Sequence, residues 1–544
     1  MRRRKFWGWG VEGGGPDEAV TRPLIKRACE TFGIAAPEAI LAPQIGEIAL
    51  PANRIREGAD SLGRCGATDD PLERAGHTYG KGLRDLLRAF DRDFAAAPDL
   101  VCYPASEEEV VQVLDTCDRH GYAVVPYGGG SSVVGGVEPR GLRERYPGVV
   151  SLDLSRLGKL LDLDRESRLA RFQAGALGPG LEAQLRGEGL TLRHFPQSFE
   201  FSSLGGWIAT RSGGHFATVF THIDDFTHSI RAVTPAGIIE TRSLPSSGAG
   251  PEPKRLLFGS EGSLGVITEA SMRVLRRPVF RASATVAFQD FRQAVEAARD
   301  LAQSDLHPSN CRLLDPGEAM LNSVRSDGSA VLLVAFESAD HPLGPWLDRA
   351  LEIALGRGGS VAGDTRVSEG ESDRAGSGGA GRPEEAGQWR RMFLDAPYIR
   401  DHLVRAGFIP DTFETACTWS GFEKFHAGVK EAVTDALDRV CGGGMLTCRF
   451  THVYPDGPAP YYTVIAPGRP GARLAQWDAI KEAASEAIDR LGGATTHHHA
   501  VGRDHQPWYL NECPPLVADA LRAAKKRLDP RGILNPGVLF DRLN

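Results

Sequence analysis

The stretch that decides the fold runs Ala123-Val124-Val125-Pro126-Tyr127-Gly128-Gly129-Gly130-Ser131-Ser132. Before it, Ser106-Glu107-Glu108-Glu109 forms a capping-box signature. Val110, Val113, Leu114 and Cys117 then make one apolar helical face ending at Gly121. The order is helix, short buried strand, glycine loop. Consecutive small residues after a strand let backbone N–H groups converge on a phosphate without Cβ obstruction, and Ser131 and Ser132 add hydroxyl donors. Gly-x-Gly-x-x-Gly opening an amphipathic helix is absent, because Val133-Val134-Gly135-Gly136-Val137 follows, and there is no Gly-Lys-Ser/Thr. Alone, the loop is equally a tight structural turn.

Two later segments extend the pattern. Pro196-Gln197-Ser198-Phe199-Glu200-Phe201-Ser202-Ser203-Leu204-Gly205-Gly206-Trp207 leads into Ala209-Thr210-Arg211-Ser212-Gly213-Gly214. Gly259-Ser260-Glu261-Gly262-Ser263-Leu264-Gly265-Val266-Ile267-Thr268 follows about fifty residues on. Three loops of small donors fit a long ligand with a pyrophosphate at its middle. They also account for much of the glycine excess, 64 in 544 residues or about 12% against an ordinary ~7%.

Outward from these loops, residues 1–95 carry helical patches such as Gly82 to Phe90, with Leu83, Leu86, Leu87 and Phe90 in register. Residues 96–278 read as a domain built on the three loops, with strands at Val149 to Leu154 and Leu169 to Ala174. From 279 to 494, strands (Ala284 to Phe288, Ala330 to Phe336, Tyr461 to Ala466) alternate with helices (Arg292 to Ala302, Ala475 to Leu491). That texture predicts a second α+β domain. The apolar-poor segment 365–387 reads as a mobile surface loop. Residues 495–544 hold a histidine run and a helix with Leu516, Val517, Ala520, Leu521, Ala524 and Leu528 on one side.

A net charge of −7 argues against a nucleic-acid surface. The basic start MRRRK lacks an apolar core behind it and reads as a solvated terminus. No stretch reaches the ~18 apolar residues of a membrane span. Nine cysteines without a Cys-x-x-Cys spacing read as reduced thiols of a cytoplasmic protein.

Thr496-His497-His498-His499-Ala500 is the second chemical signal. Three adjacent histidines cannot share one face of a strand or helix, so no metal site is expected from the run alone. Alternate members with His505 or a carboxylate are the metal alternative, and surface histidines the structural one. An imidazole's ordinary pKa of about 6.5 suits proton transfer at neutral pH.

The three glycine blocks, with Leu528-Asp529-Pro530-Arg531-Gly532-Ile533-Leu534-Asn535-Pro536-Gly537, resemble the FAD-binding fold of the vanillyl-alcohol-oxidase (PCMH-type) superfamily. The resemblance implies an α+β fold: a two-part FAD-binding domain plus a substrate (cap) domain with an antiparallel sheet. It implies cofactor contacts at Pro126, Tyr127, Gly128, Gly129, Gly130, Ser131, Ser132, Pro196, Gln197, Ser198, Ser202, Ser203, Gly205, Gly206, Ala209, Thr210, Arg211, Ser212 and Glu261 through Ile267 (Gly262, Ser263, Leu264, Gly265, Val266). Members with covalent FAD use a histidine in the first loop, which has none here, so non-covalent FAD is expected. Arg211-Ser212-Gly213-Gly214-His215 imitates that signature in the second loop and is read as a decoy.

Within the superfamily the chain is similar to the alkyldihydroxyacetonephosphate synthase family. The residues that carry this are Lys5-Phe6-Trp7-Gly8-Trp9-Gly10, Phe199 to Trp207, Arg312-Leu313-Leu314-Asp315, Tyr398-Ile399-Arg400-Asp401, Phe413-Glu414-Thr415, Cys448-Arg449-Phe450-Thr451-His452, Tyr461 and the histidine run. The resemblance implies exchange of the acyl group of acyl-dihydroxyacetone phosphate for a fatty alcohol through a flavin N5 adduct, without net redox change. It assigns His498 as base, His497 and His499 as site-shaping groups, Tyr461 as acid, Arg400 as phosphate or carboxylate partner and Arg312 as an organiser. An FAD-linked oxidase or dehydrogenase of a hydroxy acid or alcohol is the alternative, because the same groups would serve it. Expected partners are a lipid-like small molecule, a transient membrane surface, and a second copy in a homodimer. Departures fall at 365–387, at Arg503 to Pro507 and at Tyr462 to Val464, and Asp541-Arg542-Leu543-Asn544 carries no peroxisomal address.

Overall fold

A computed structural model of the chain describes residues 3–35, 38–369 and 384–539. The first glycine loop leaves a three-stranded parallel sheet ordered Leu100–Cys102, Val149–Asp153, Ala123–Tyr127. The helix Glu107–His120 packs on it as its sequence dictates. Ser106 Oγ accepts the Glu109 N–H at 3.3 Å, Gly121 ends the helix at φ +69°, and Val110, Val113, Leu114 and Cys117 are all buried. The chain returns to this sheet near its end. Val124 N–H donates to Ile533 O, and Asn535 N–H to Val124 O, each at 2.8 Å.

A five-stranded antiparallel sheet follows in the order Leu160–Asp164, Leu169–Gln173, Val266–Arg273, Thr227–Thr234, Gly237–Glu240. It carries the third glycine loop on the strand Val266–Arg273. The remaining large element is a seven-stranded antiparallel sheet ordered Ser360–Glu369, Phe280–Phe288, Ala330–Ser338, Asn310–Leu314, Met445–Val453, Pro458–Pro467, Phe408–Glu414. One face packs on helices Phe291–Ala302, Gly344–Gly356, Phe422–Cys441 and Arg473–Arg490 through the largest apolar cluster. The other face turns toward the glycine loops. This is the α+β architecture expected from the sequence, with an antiparallel sheet beyond the flavin-type loops.

Two local expectations change. Of the expected loop 365–387, residues 365–369 close the strand Ser360–Glu369, residues 384–387 open the helix Glu384–Arg405, and 370–383 lie outside the described residues. The helix Pro515–Leu528 forms, but Leu516 and Val517 are 84% and 48% exposed. Leu521 and Leu528 pack on an apolar cluster, and a polar contact adds to them: buried Lys525 Nζ donates to Ser263 O at 2.8 Å, Leu534 O at 2.6 Å and Asp529 Oδ2 at 2.7 Å.

Candidate active site

The glycines bring the three loops together. A Cβ on Gly129 would lie 1.8 Å from Phe201 O, one on Gly128 2.1 Å from Ser203 Oγ, and one on Gly262 2.8 Å from Pro126 Cγ. Ser203 caps the helix Leu204–Thr210, accepting the Gly206 N–H at 3.2 Å. What results is a cavity whose wall, along the three loops, is largely backbone and short hydroxyl side chains. Every expected cofactor residue lines it except Arg211, Ser263 and Leu264. Arg211 turns outward at a left-handed helix end to pair with Asp224 at 2.8 Å, Ser263 Oγ is spent on Ser260 O at 2.6 Å, and Leu264 is core. His215 is absent from the wall and packs between Phe195 and Phe216. This stretch of wall, rich in backbone and hydroxyl donors, fits an extended dinucleotide such as FAD.

Glu261 does more than line the groove. Its buried carboxyl accepts the N–H groups of Val501 and Gly502 at 3.0 Å, tying the third loop to the histidine segment, and burial pushes its pKa up to about 7. Gly213 in the second loop abuts the same segment: a Cβ there would sit 3.1 Å from His498 Cβ and 3.2 Å from His452 Cε1.

The seven-stranded sheet supplies the other wall. Its register sets Tyr461 opposite Glu414 on one neighbour and Arg449 on the other. Alternation puts Tyr461, Arg449 and Thr451 at the cavity while Tyr462, Cys448 and Phe450 enter the core. Tyr461 Oη donates to Thr412 Oγ1 at 2.9 Å, and the Arg449 guanidinium lies 4.0 Å from the ring centroid. Burial pushes the Tyr461 phenol up and Arg449 pulls it down, with a net rise, so it is protonated at neutral pH. Arg449 is itself held by the buried Glu318 carboxylate. Arg312, 4% exposed, reaches the same wall, where burial and then Arg449 bring its pKa down to about 9. Arg400 also lines the cavity, but its fork is partly engaged, donating to Asp401 Oδ1 at 3.0 Å and to Lys81 O. Asp401 in turn accepts the Trp9 N–H at 2.7 Å, which explains why the Trp-Gly-Trp-Gly start and the Tyr-Ile-Arg-Asp segment belong together.

The histidine run divides as an irregular segment. His498 and His499 line the cavity, and His497 turns behind them. Glu414, a residue whose role the sequence did not reveal, organises all three. It accepts backbone N–H groups from His497 at 2.5 Å, His498 at 3.1 Å and His499 at 2.9 Å, and the Thr496 hydroxyl at 2.5 Å. Burial alone would push this carboxyl up, but the facing His498, His499 and His497 and the Thr496 hydroxyl hold it well below its ordinary range. Burial lowers His498, and brings His499 down to about 3, so both are neutral at pH 7. A buried acid between Phe413 and Thr415 in a strand was the available signal, since such a group must find donors.

His452 joins from the strand Met445–Val453, so ring nitrogens of His452, His497 and His498 lie within 4.8 Å of one another. His505 does not join; its Nδ1 bonds Ala500 O at 2.9 Å. The nitrogens of His452 contact Gly214 O at 3.0 Å and Thr451 Oγ1 at 3.2 Å. Those of His497 contact Tyr454 Oη at 2.6 Å and His498 Nδ1 at 3.0 Å. The cluster is a hydrogen-bonded imidazole array. Lys81, Glu318, Thr412, Arg449, His452 and Lys481 also line the cavity and were not singled out as site residues from sequence.

Residues 98–242 match the FAD binding domain family and residues 277–539 the C-terminal domain of FAD linked oxidases. The chain is 33% identical over 486 residues to an alkyldihydroxyacetonephosphate synthase of Dictyostelium discoideum, covering 87% of this chain and 78% of the relative. It is 31% identical to one from Trypanosoma brucei brucei over 87% of this chain and 78% of the relative. A solved alkyldihydroxyacetonephosphate synthase structure superposes with a TM-score of 0.78 at 27% identity, covering 98% of both chains. A 4-ethylphenol oxidase from Gulosibacter chungangensis shares the fold at 14% identity with a TM-score of 0.65, over 89% of this chain and 97% of that one. A groove shaped for FAD, an imidazole array facing it and this identity across the chain's length lead to one assignment: the protein is an FAD-dependent enzyme belonging to the alkyldihydroxyacetonephosphate synthase family.

Proposed function

We propose that the protein exchanges the acyl group of acyl-dihydroxyacetone phosphate for a fatty alcohol, forming an ether without net redox change. The observation that carries this reading is the single cavity. His498, Tyr461, Arg312 and Arg400 line it beside the three glycine loops, and its wall extends to Leu24, Leu321, Ile399, Leu403 and Ile465, members of one apolar cluster. An alkyl chain, a phosphate and a flavin therefore have separate surfaces within reach of one another.

The three glycine loops would hold FAD non-covalently, and the flavin would supply nucleophilic character at N5. The chain's own groups do the rest. His498, neutral at pH 7, takes the C1 proton. Tyr461, protonated and oriented by Thr412 and Arg449, assists departure of the fatty carboxylate. Arg400 binds the phosphate, and Arg312 with Arg449 provides positive potential where carboxylate charge develops. His497 and His499, held by Glu414, fix the position of His498.

Among the described residues no helix is long and apolar enough to cross a membrane. Transient contact with a lipid surface is supported by the helix Glu18–Phe32, which presents Val20, 64% exposed, with exposed Arg22, Lys26 and Arg27 near the cavity residue Leu24.

The test is to supply the flavin-loaded protein with acyl-dihydroxyacetone phosphate and hexadecanol, and to follow fatty acid and ether by mass spectrometry. Both products are expected in equal amounts. Dye-linked oxidation of an alcohol or hydroxy acid with no ether would overturn the transferase reading.

A further inference from the structure

Behind the cavity wall, five side chains form an unbroken series of short contacts. His498 Nδ1 lies 3.0 Å from His497 Nδ1, and His497 Nε2 2.6 Å from Tyr454 Oη. Tyr454 Oη donates to Thr221 Oγ1 at 3.1 Å, and Thr221 Oγ1 lies 3.3 Å from His222 Nδ1. The series ends where His222 Nε2 meets the backbone carbonyl of His497 at 3.0 Å. We propose that this series is a proton relay, carrying the proton that His498 removes in the cavity through His497, Tyr454 and Thr221 to His222. The proposal rests on the reading of His498 as the base.

The direction of every link follows from the last contact. A carbonyl only accepts, so His222 carries its hydrogen on Nε2 and, when neutral, offers Nδ1 as an acceptor. Thr221 therefore donates to His222, and Tyr454 donates to Thr221. The Tyr454 oxygen then accepts from His497, which places that ring's hydrogen on Nε2 and leaves its Nδ1 as an acceptor. His498 must supply the hydrogen on Nδ1. Its Nε2, with no protein hydrogen-bond partner among the described residues, is left with a free lone pair on a side chain that lines the cavity. One backbone carbonyl thus polarises the series so that His498 faces the substrate as a base. The Glu414 carboxylate, 3.7 Å from His498 Nδ1, favours the same tautomer. Burial lowers both His497 and His498, so the inner imidazoles are neutral at pH 7, as the series requires.

The transfer balances. The C1–H bond breaks, its electron pair stays with the substrate, and the proton joins His498 Nε2. The Nδ1 proton of His498 passes to His497 Nδ1, the Nε2 proton of His497 to Tyr454, the phenolic proton to Thr221, and the Thr221 proton to His222 Nδ1. One proton enters and one arrives. His222 is half-buried and follows the exposed Val219 and Phe220, so its proton reaches water without crossing the cavity. Tyr454, Thr221 and His222 are not on the cavity wall; they are positioning residues that act through His498.

The test uses the flavin-loaded protein with ¹⁵N-labelled histidine, read by NMR, together with deuterium incorporation at C1 of acyl-dihydroxyacetone phosphate in D2O. The resting protein is expected to carry hydrogen on Nδ1 of His498 and on Nε2 of His497 and His222. Tyr454→Phe and Thr221→Val should each slow deuterium incorporation by about tenfold or more with flavin content unchanged, as interruption of acid–base catalysis requires. Wild-type incorporation rates in both variants, or a His498 protonated on Nε2, would overturn the relay. A wild-type protein that neither exchanges C1 hydrogen nor releases fatty acid would overturn the transferase reading instead, and the tautomer spectrum would still decide the relay.

Discussion

The Glu414 carboxylate accepts the backbone N–H of His499 at 2.9 Å, joining two residues 85 positions apart. With the same oxygens bound to His497, His498 and Thr496, one buried side chain fixes the backbone of the whole histidine segment.

Glu414→Gln should therefore destabilise the protein and misplace His498. An amide keeps one acceptor oxygen and turns an N–H₂ group toward N–H donors. The expected loss is about 3 kcal/mol at pH 7, in the range for breaking a buried charge-assisted contact. The sign with pH follows from the depressed carboxyl. Its stabilisation is complete above the ordinary carboxylate pKa and fades as pH falls through its lowered value. Denaturant unfolding at pH 7 and at pH 3 should show the gap between wild type and variant narrowing in acid; a gap of constant size would contradict the assignment.

Glu261 behaves in the opposite sense. Its pKa is raised to about 7 by burial, so the protonated form is stable in the fold, and that contribution is lost as pH rises through about 7. Glu261→Gln, which cannot ionise, should gain on the wild type between pH 5 and pH 8 by up to roughly 3 kcal/mol. Thermal melts of flavin-loaded protein across that window would measure it. Equal pH slopes for both proteins would mean that Glu261 stays ionised.

Gly129→Ala tests the groove. The added carbon would fall 1.8 Å from the Phe201 backbone oxygen, which has no flexible side chain to move aside. The first loop must then part from the second, and the purified variant should retain less than about a tenth of the wild-type flavin absorbance, the loss expected when loop packing is forced open by several kcal/mol. Gly180→Ala is the control, because its new carbon meets nothing within 4 Å and it lies exposed on a helix outside the cavity wall, so that variant should stay yellow.

What could be read in the sequence was what lies contiguously along it. Pro126 to Ser132 and His497 to His499 each sit in one short segment, and each announces its chemistry by composition. Glu414, Glu318, Arg449 and His452 were visible as residues but not as a site, because strand pairing brings them together: Tyr461 has Glu414 and Arg449 as its cross-strand neighbours. Arg211 misled for a related reason. It lies within a flavin-loop motif, but its backbone takes the left-handed conformation at a helix end, at φ 52°, and sends the side chain outward. Leu516 and Val517 had helical spacing, yet they are exposed at the start of the helix, while Leu521 and Leu528 further along the same face pack on an apolar cluster.

The apolar end of the cavity gives the sharpest test of substrate class. Leu24 comes from the helix Glu18–Phe32, and it meets Ile399 and Leu403 of Glu384–Arg405 and Ile465 of the strand Pro458–Pro467. These side chains lie on the cavity wall, away from His498 and the glycine loops in sequence. A long alkyl chain bound along Leu24 would bury several methylenes there, each contributing about 0.8 kcal/mol. Leu24→Asp should therefore raise KM for a sixteen-carbon acyl donor by about thirtyfold or more, the equivalent of losing two to three methylene contacts, with kcat within about threefold of wild type. The same substitution should barely change KM for a four-carbon donor, whose chain is too short to reach the helix. Equal losses for both donors would mean that Leu24 serves the fold alone and that the chain runs elsewhere.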